Sequence, residues 1–274
     1  MSKRYIPTLT IAGSDSSGGA GIQADIKTMS ALGCYAMSVI TAVTAQNTCG
    51  VTGVEPISTN IIEAQLFAVL DDIPPKAIKT GMLYDSSVIL TVSKVISERA
   101  KGVSLVIDPV MVATSGDSLL QNEALDSLKN ELLPLATLLT PNIPETEVLS
   151  GMQIDSMEQA DEASAKILEL GVKAVLIKGG HFHSDQAVDI LYTTDGVREI
   201  FRAEMIPSKN THGTGCTLSS AITSFLAREY SLVDSIRLAK EYLTSAIDLG
   251  KDVQIGNGHG PVNHFHAPIK SIIL

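Results

Sequence analysis

Apolar and polar positions along this chain follow two alternating periods. Short β-rich apolar runs occupy 5–12, 35–44, 77–82, 103–111, 136–140 and 174–177. Between them, apolar residues recur at helical spacing over 22–32, 58–71, 86–101, 122–133, 156–170 and 232–249. Gly33 stops the first of these helices and Gly102 the third. The segments 187–192 and 198–206 read as a hairpin around Thr194-Asp195-Gly196. Strands alternating with helices predict an α/β fold, a mainly parallel central sheet sandwiched between helices. No internal repeat or low-complexity linker divides the chain, so one domain over 1–274 is expected. In such sheets, side chains at the C-terminal strand ends gather at one cleft. Here those ends carry Gly13, Gln46, Met82, Asp108, Asn142 and Lys178.

Composition narrows the partners. The chain has 274 residues, of which 45% are hydrophobic and 18% charged, with a formal net charge of −10. A sizeable core can be buried, while the acidic balance disfavours nucleic acid and anionic membranes. A phosphorylated ligand would therefore need local positive potential from helix ends, a few lysines and Mg²⁺. No run approaches about 18 consecutive apolar residues, so no membrane-spanning helix is expected. The N-terminus does not read as a signal peptide. Cys34, Cys49 and Cys216 form no CxxC pair and no even framework, which suits a reducing cytoplasm. The pairs His181/His183 and His264/His266 have no Cys or acidic partner at metal spacing, so no zinc site is expected.

The chemistry concentrates in Asn210-Thr211-His212-Gly213-Thr214-Gly215-Cys216-Thr217-Leu218-Ser219. A Gly-rich turn opening an apolar helix presents unpaired backbone N–H groups at the positive end of the helix dipole. That arrangement suits the charge spread over a transferring phosphoryl group. At the same helix end Cys216 is expected to favour the thiolate. The bland alternative is an ordinary helix start with a buried cysteine. Gly13-Ser14-Asp15-Ser16-Ser17-Gly18-Gly19-Ala20-Gly21 links the first strand to the first helix, without the spacing of a dinucleotide fingerprint or a P-loop. Gln46 is either a loop residue or an amide matched to the donor–acceptor edge of an aminopyrimidine. Asp108 closes a buried-type strand, where it either caps the next loop or reaches the cleft. The loop Val112-Ala113-Thr114-Ser115-Gly116 is placed to cover the site. Asn142 and Glu145 read as helix N-cap and first-turn residues, compatible with a hard cation held by oxygen ligands. Lys178, followed by Gly179-Gly180, can reach phosphate oxygens.

Asn-Thr-x-Gly-x-Gly resembles the closing signature of ribokinase-type small-molecule kinases. There Asp usually follows as the base, and Cys216 stands in its place. Cysteine at this position is typical of the branch holding the hydroxymethylpyrimidine kinases and some pyridoxal kinases. The N-terminal Ala-Gly-Ser-Asp-x-Ser-Gly-Gly-Ala-Gly-Ile-Gln-Ala-Asp, together with Thr-Ala-Gln-Asn-Thr, is similar to the hydroxymethylpyrimidine kinases, and the resemblance covers essentially the whole chain. It implies a ribokinase-like three-layer fold that phosphorylates a hydroxymethylpyrimidine and then its monophosphate from MgATP, for thiamine biosynthesis. It assigns Gly13, Asp25, Val43, Gln46 and Met82 to the pyrimidine pocket. Asp108, Asn142 and Lys178 fall to the nucleotide and Glu145 to magnesium. Gly213, Thr214 and Gly215 become N–H donors and Cys216 the base. A cytoplasmic homodimer is expected. Rival readings are a pyridoxal kinase, opposed by Gln46 and by a covering loop without cysteine, and a non-catalytic pyrimidine-binding regulator, opposed by the presence of Lys178, Asp108 and Glu145. A cysteine hydrolase lacks a placed histidine.

Overall fold

The computed structural model describes residues 3–111, 124–180 and 186–274. The expected covering loop 112–116 and the pair His181/His183 lie outside the described residues. The chain runs β1 (Pro7–Asp15), α1 (Gly21–Ala31), β2 (Tyr35–Asn47), β3 (Gly50–Pro56), α2 (Thr59–Asp72), β4 (Ala77–Thr80), α3 (Ser86–Arg99) and β5 (Ser104–Ile107). It continues with α4 (Ala124–Ser127), β6 (Leu138–Leu139), α5 (Ile143–Ser150), α6 (Met157–Leu168), β7 (Ala174–Gly180), β8 (Gln186–Thr193), β9 (Arg198–Glu204), α7 (Thr214–Ala227) and α8 (Leu232–Asp248).

The nine strands among the described residues form one sheet in the order β3-β2-β1-β4-β5-β6-β7-β8-β9. From β2 to β7 every neighbouring pair is parallel, and β3, β8 and β9 add antiparallel margins. Strand alternation sends side chains to two cores. Leu105 and Ile107 of β5 join α2, α3 and α6 on one face, with Ile62, Leu66, Val92 and Ile167. Val106 of the same strand joins α7 and α8 on the other, with Ile222, Phe225 and Ile236. Both sheet faces are thus covered, the condition under which parallel strands are stable.

Two departures from the sequence reading have local causes. The helix expected over 122–133 is, in its described part, one turn of α4 followed by a wider π-type turn over Leu128–Leu132 and a tight turn over Leu133–Leu135. Pro134 has no N–H to extend an α-helical ladder. β3 was not expected. It carries Gly50, Gly53, Glu55 and Pro56, a composition tolerated at a sheet margin. Among the described residues, no helix is long and apolar enough to cross a membrane.

Candidate active site

The C-terminal ends of β1, β2, β4, β5, β6 and β7, with the start of α7, enclose a cleft of about 610 Å³. It gathers Gly13, Gln46, Met82, Asp108, Asn142, Glu145 and Lys178 with Gly213, Thr214, Gly215 and Cys216. Two expected pocket residues are not there. Val43 points away from the cleft and is 46% exposed, because strand alternation gives the inward positions to Thr44 and Gln46. Asp25 is fully buried behind the cleft wall, bound to Lys79.

Asp15 organises the loop between β1 and α1. Its carboxylate accepts from the N–H groups of Ser17 (2.8 Å), Gly19 (3.0 Å) and Ala20 (2.8 Å), and its Oδ2 lies 2.8 Å from His212 Nε2. Burial pushes this carboxyl up, but the hydrogen bonds of His212, Ser17 and Ala20 outweigh it and hold Asp15 well below the usual carboxylate range. The contact sews the N-terminal loop to the turn before α7. Gly19 makes it possible, since a Cβ there would overlap His212 Cδ2 at 2.4 Å. On the same side, Gln46 Oε1 accepts from Thr44 Oγ1 at 3.1 Å, and its Nε2 stands 3.5 Å from His212 Nε2. Met82 closes this end against Gly13, where a Cβ would meet its methyl carbon at 2.3 Å.

The opposite side carries charge. Lys178 Nζ lies 2.8 Å from Asp108 Oδ1. Burial alone would lower this lysine's proton affinity. The carboxylates of Asp108 and Glu145 reverse that and raise it. Asp108 is lowered despite its burial by Lys178 and Lys79. Glu145 is raised, chiefly by burial and further by Asp108. Asn142 and Glu145 form a reciprocal capping box at the start of α5. Asn142 Oδ1 accepts from Glu145 N at 2.8 Å, and Glu145 Oε2 accepts from Asn142 N at 2.9 Å.

Between the two sides stands the start of α7. Gly213 caps the helix at φ +80°, a left-handed conformation. The N–H of Thr214 turns back to Thr211 O at 3.3 Å, so it does not point freely into the cleft as the sequence suggested. The second and third helical residues, Gly215 and Cys216, have no intrahelical acceptor for their N–H groups. Cys216 also departs from expectation. Burial pushes its thiol up to about 11, assisted by Asp25 and Asp108 and opposed by Lys79 and the N–H of Gly21. At neutral pH the resting group is a thiol, because desolvation outweighs the helix end.

Sequence reasoning missed Asp15 and His212 as cleft residues and quoted Lys79 only within a motif. Lys79 had a visible signal: a cation inside the otherwise uncharged strand Ala77-Ile78-Lys79-Thr80. A second cavity, of about 800 Å³, lies between 207–210 and 251–258 and includes Asn210 from the same turn. Among the described residues, no group of three or more His, Cys, Asp or Glu is placed to hold a metal.

A parallel sheet covered on both faces, with a glycine turn opening a helix onto its strand ends, defines a ribokinase-like small-molecule kinase. A family profile described as Phosphomethylpyrimidine kinase matches residues 15–263. The hydroxymethylpyrimidine/phosphomethylpyrimidine kinase of Rhizobium meliloti (strain 1021) is 49% identical over 94% of this chain and 96% of its own. The crystal structure of phosphomethylpyrimidine kinase from Clostridium difficile 630 aligns with TM-score 0.79 at 48% identity, over 88% of this chain and 99% of that one. An ADP complex of Bacillus subtilis pyridoxal kinase aligns with TM-score 0.87 at 40% identity, over 95% of this chain and 98% of that one. The chain belongs to the phosphomethylpyrimidine kinase family.

Proposed function

We propose that this cleft phosphorylates the hydroxymethyl group of 4-amino-5-hydroxymethyl-2-methylpyrimidine from MgATP, then phosphorylates the monophosphate to the pyrophosphate used in thiamine biosynthesis. The observation that carries the reading is the division of one cleft into two halves. Gln46, Met82 and Gly13, with Thr44 and the Asp15–His212 pair beside them, form a half that offers an amide and the Met82 side chain. Lys178, Asp108, Asn142 and Glu145 form a half built around an ammonium and carboxylates. The N-terminus of α7 lies between them.

In this reading the pyrimidine lies against Met82, with its amino and ring-nitrogen edge on the Gln46 amide. Lys178 meets the nucleotide phosphates, and the N–H groups of Gly215 and Cys216 receive the transferring phosphoryl group. Cys216, ionised to the thiolate in the reacting complex with its proton lost to solvent, accepts the hydroxyl proton as the oxygen attacks the terminal phosphorus and ADP departs. Phosphoryl transfer depends mostly on positioning and electrostatics, so a thiol-based acceptor suffices. Magnesium fits the charged half. A buried carboxylate and a side-chain amide, Glu145 and Asn142, are the oxygen donors such an ion takes while keeping several waters. When bound there it would neutralise phosphate charge. A cytoplasmic homodimer accompanies this reading as a family expectation.

The likeness to pyridoxal kinases favours one second reading, phosphorylation of pyridoxal. A coupled assay of ADP release with the hydroxymethylpyrimidine, its monophosphate and pyridoxal, run side by side, tests both. The expected order of kcat/KM places both pyrimidines above pyridoxal. Pyridoxal as the better substrate overturns the first reading.

A further inference from the structure

Cys216 and Ser220 stand one turn apart on α7 and share a face of the helix. Ser220 Oγ donates to Asp25 Oδ1 at 2.6 Å, and Thr10 Oγ1 donates to Asp25 Oδ2 at 2.5 Å. The same carboxylate takes Lys79 Nζ on both oxygens, at 2.8 and 2.9 Å. Side-chain exposure of Lys79 and Asp25 is 0% and 0%, yet Lys79 forms part of the cleft wall beside Cys216. Gly81 leaves the ammonium its room, since a Cβ there would stand 3.1 Å from Lys79 Nζ. Groups from β1, α1, β4 and α7 therefore converge to fix one ammonium at one point. A buried ion pair is a poor way to add stability, because apolar residues of like volume serve as well or better. Its location calls for a role in the cleft.

We propose that Lys79 is a positioning residue for phosphoryl transfer, the counter-cation that favours the Cys216 thiolate which then takes the proton of the substrate oxygen. The proposal rests on the reading of Cys216 as proton acceptor. In the step, Cys216 enters as the thiolate, its own proton already lost to solvent. The substrate O–H bond breaks and its proton passes to that sulfur, which becomes a neutral thiol. The O–P bond forms as the bond to ADP breaks, and the ammonium keeps all its protons. The charged groups facing Cys216 are Lys79 from β4, Asp25 from α1, Asp108 beyond β5 and Lys178 from β7, with the N–H of Gly21 beside them. Lys79 and Lys178 favour the thiolate, while Asp25 and Asp108 oppose it. Lys79 and Asp25 thus act on the sulfur with opposite sign, although they form a single pair.

That opposition supplies a test independent of turnover. Iodoacetamide alkylation of Cys216 is followed against pH by peptide mass spectrometry, which separates it from Cys34 and Cys49. Lys79→Gln should move the alkylation midpoint upward by about one pH unit, a roughly tenfold slower reaction at any pH below it. Asp25→Asn should move it downward. A purely structural pair gives the same direction for both variants, since both break the same contact. The double variant Lys79→Gln/Asp25→Asn removes both charges and keeps the volume. It should fold, by circular dichroism, and keep an upward shift smaller than that of Lys79→Gln, because the two removed charges oppose each other and Lys79 acts on the sulfur more strongly than Asp25. An unchanged midpoint in Lys79→Gln or in the double variant overturns the proposal, as does a shift of the same sign in both single variants. If the single variants fail to fold, the double variant decides. Failure of the proton-acceptor reading itself would show separately, as undiminished turnover in Cys216→Ser.

Discussion

Lys178 Nζ rests 2.8 Å from Asp108 Oδ1, so the cation on the charged side of the cleft is already paired before any phosphate arrives. Removing it alone should do two separable things. Lys178→Met leaves the carboxylate of Asp108 buried without its partner, which typically costs about 3–5 kcal/mol of stability. It also removes the charge that meets the transferring group, which should lower kcat by roughly 10²–10³-fold. Lys178→Met/Asp108→Asn should recover most of the stability and none of the activity. Denaturant unfolding and steady-state kinetics on the two proteins separate these effects. A double variant that turns over near the wild-type rate would remove Lys178 from the reaction.

Gly213 and Gly215 are two residues apart and are glycines for different reasons. Gly213 has φ +80°, and a Cβ there would overlap Gly19 O at 1.9 Å. Gly213→Ala should therefore destabilise the fold by more than the roughly 1–2 kcal/mol of left-handed backbone strain. At Gly215 a Cβ would meet Lys178 Nζ at 3.3 Å, the mobile end of a long side chain. Gly215→Ala should keep a Tm near wild type and lose about 10²-fold in kcat, the scale of a 1 Å misplacement at a reacting centre. Equal Tm losses in the two variants would contradict this division.

Much of this arrangement was legible before the structure. Strand ends carrying Gly13, Gln46, Met82, Asp108, Asn142 and Lys178 do line one cleft, because a parallel sheet brings its C-terminal ends to one edge. The cap of α5 was legible too, since Asn142 and Glu145 interact within one turn. What escaped depends on contacts distant in sequence. Asp25 was read as a pocket residue, and its partner Lys79 lies 54 positions away. The thiol of Cys216 was expected to be acidic from its helix position. Its burial, and the carboxylates of Asp25 and Asp108, come from other elements and reverse the sign. Val43 lies off the cleft lining, which the sequence could not foresee because an expected strand alone does not say which alternate residues face inward.

His264 makes stability depend on acid. It is buried with Nε2 unpartnered among the described residues, and burial, with Lys27 and His212 nearby, lowers its pKa to about 4. A lowered histidine favours the neutral form in the folded state. Above about pH 6.5 neither state takes the proton and stability is unaffected. As pH falls toward 4 the unfolded chain binds a proton that the folded one refuses, so roughly 3 kcal/mol should be lost across that window. Urea unfolding at pH 7.5 and 5 should show about 2 kcal/mol of that loss, and His264→Gln should lose less between the same two values. An equal loss in both proteins would place the acid sensitivity elsewhere.

Cys216 should matter unequally to the two phosphorylations. The first acceptor is an alcohol, which must shed a proton as its oxygen attacks. The second is a phosphate monoester, whose last proton dissociates near pH 6, so at neutral pH its oxygen attacks already ionised. A proton acceptor is needed for the first step alone. Cys216→Ser keeps the shape and replaces the thiol with a far weaker acid. It should slow phosphorylation of the alcohol by roughly 10²–10⁴-fold, the usual range for loss of general-base catalysis. Phosphorylation of the monophosphate should change only by a few-fold. Because the wild-type thiol ionises near 11, the alcohol step should also quicken as pH rises above neutral, and Ser should remove that rise. Single-turnover measurements with each acceptor across pH read all three effects. Equal slowing of both steps would mean that Cys216 shapes the site rather than taking the proton. No slowing of either would leave the transfer to the N–H groups and Lys178.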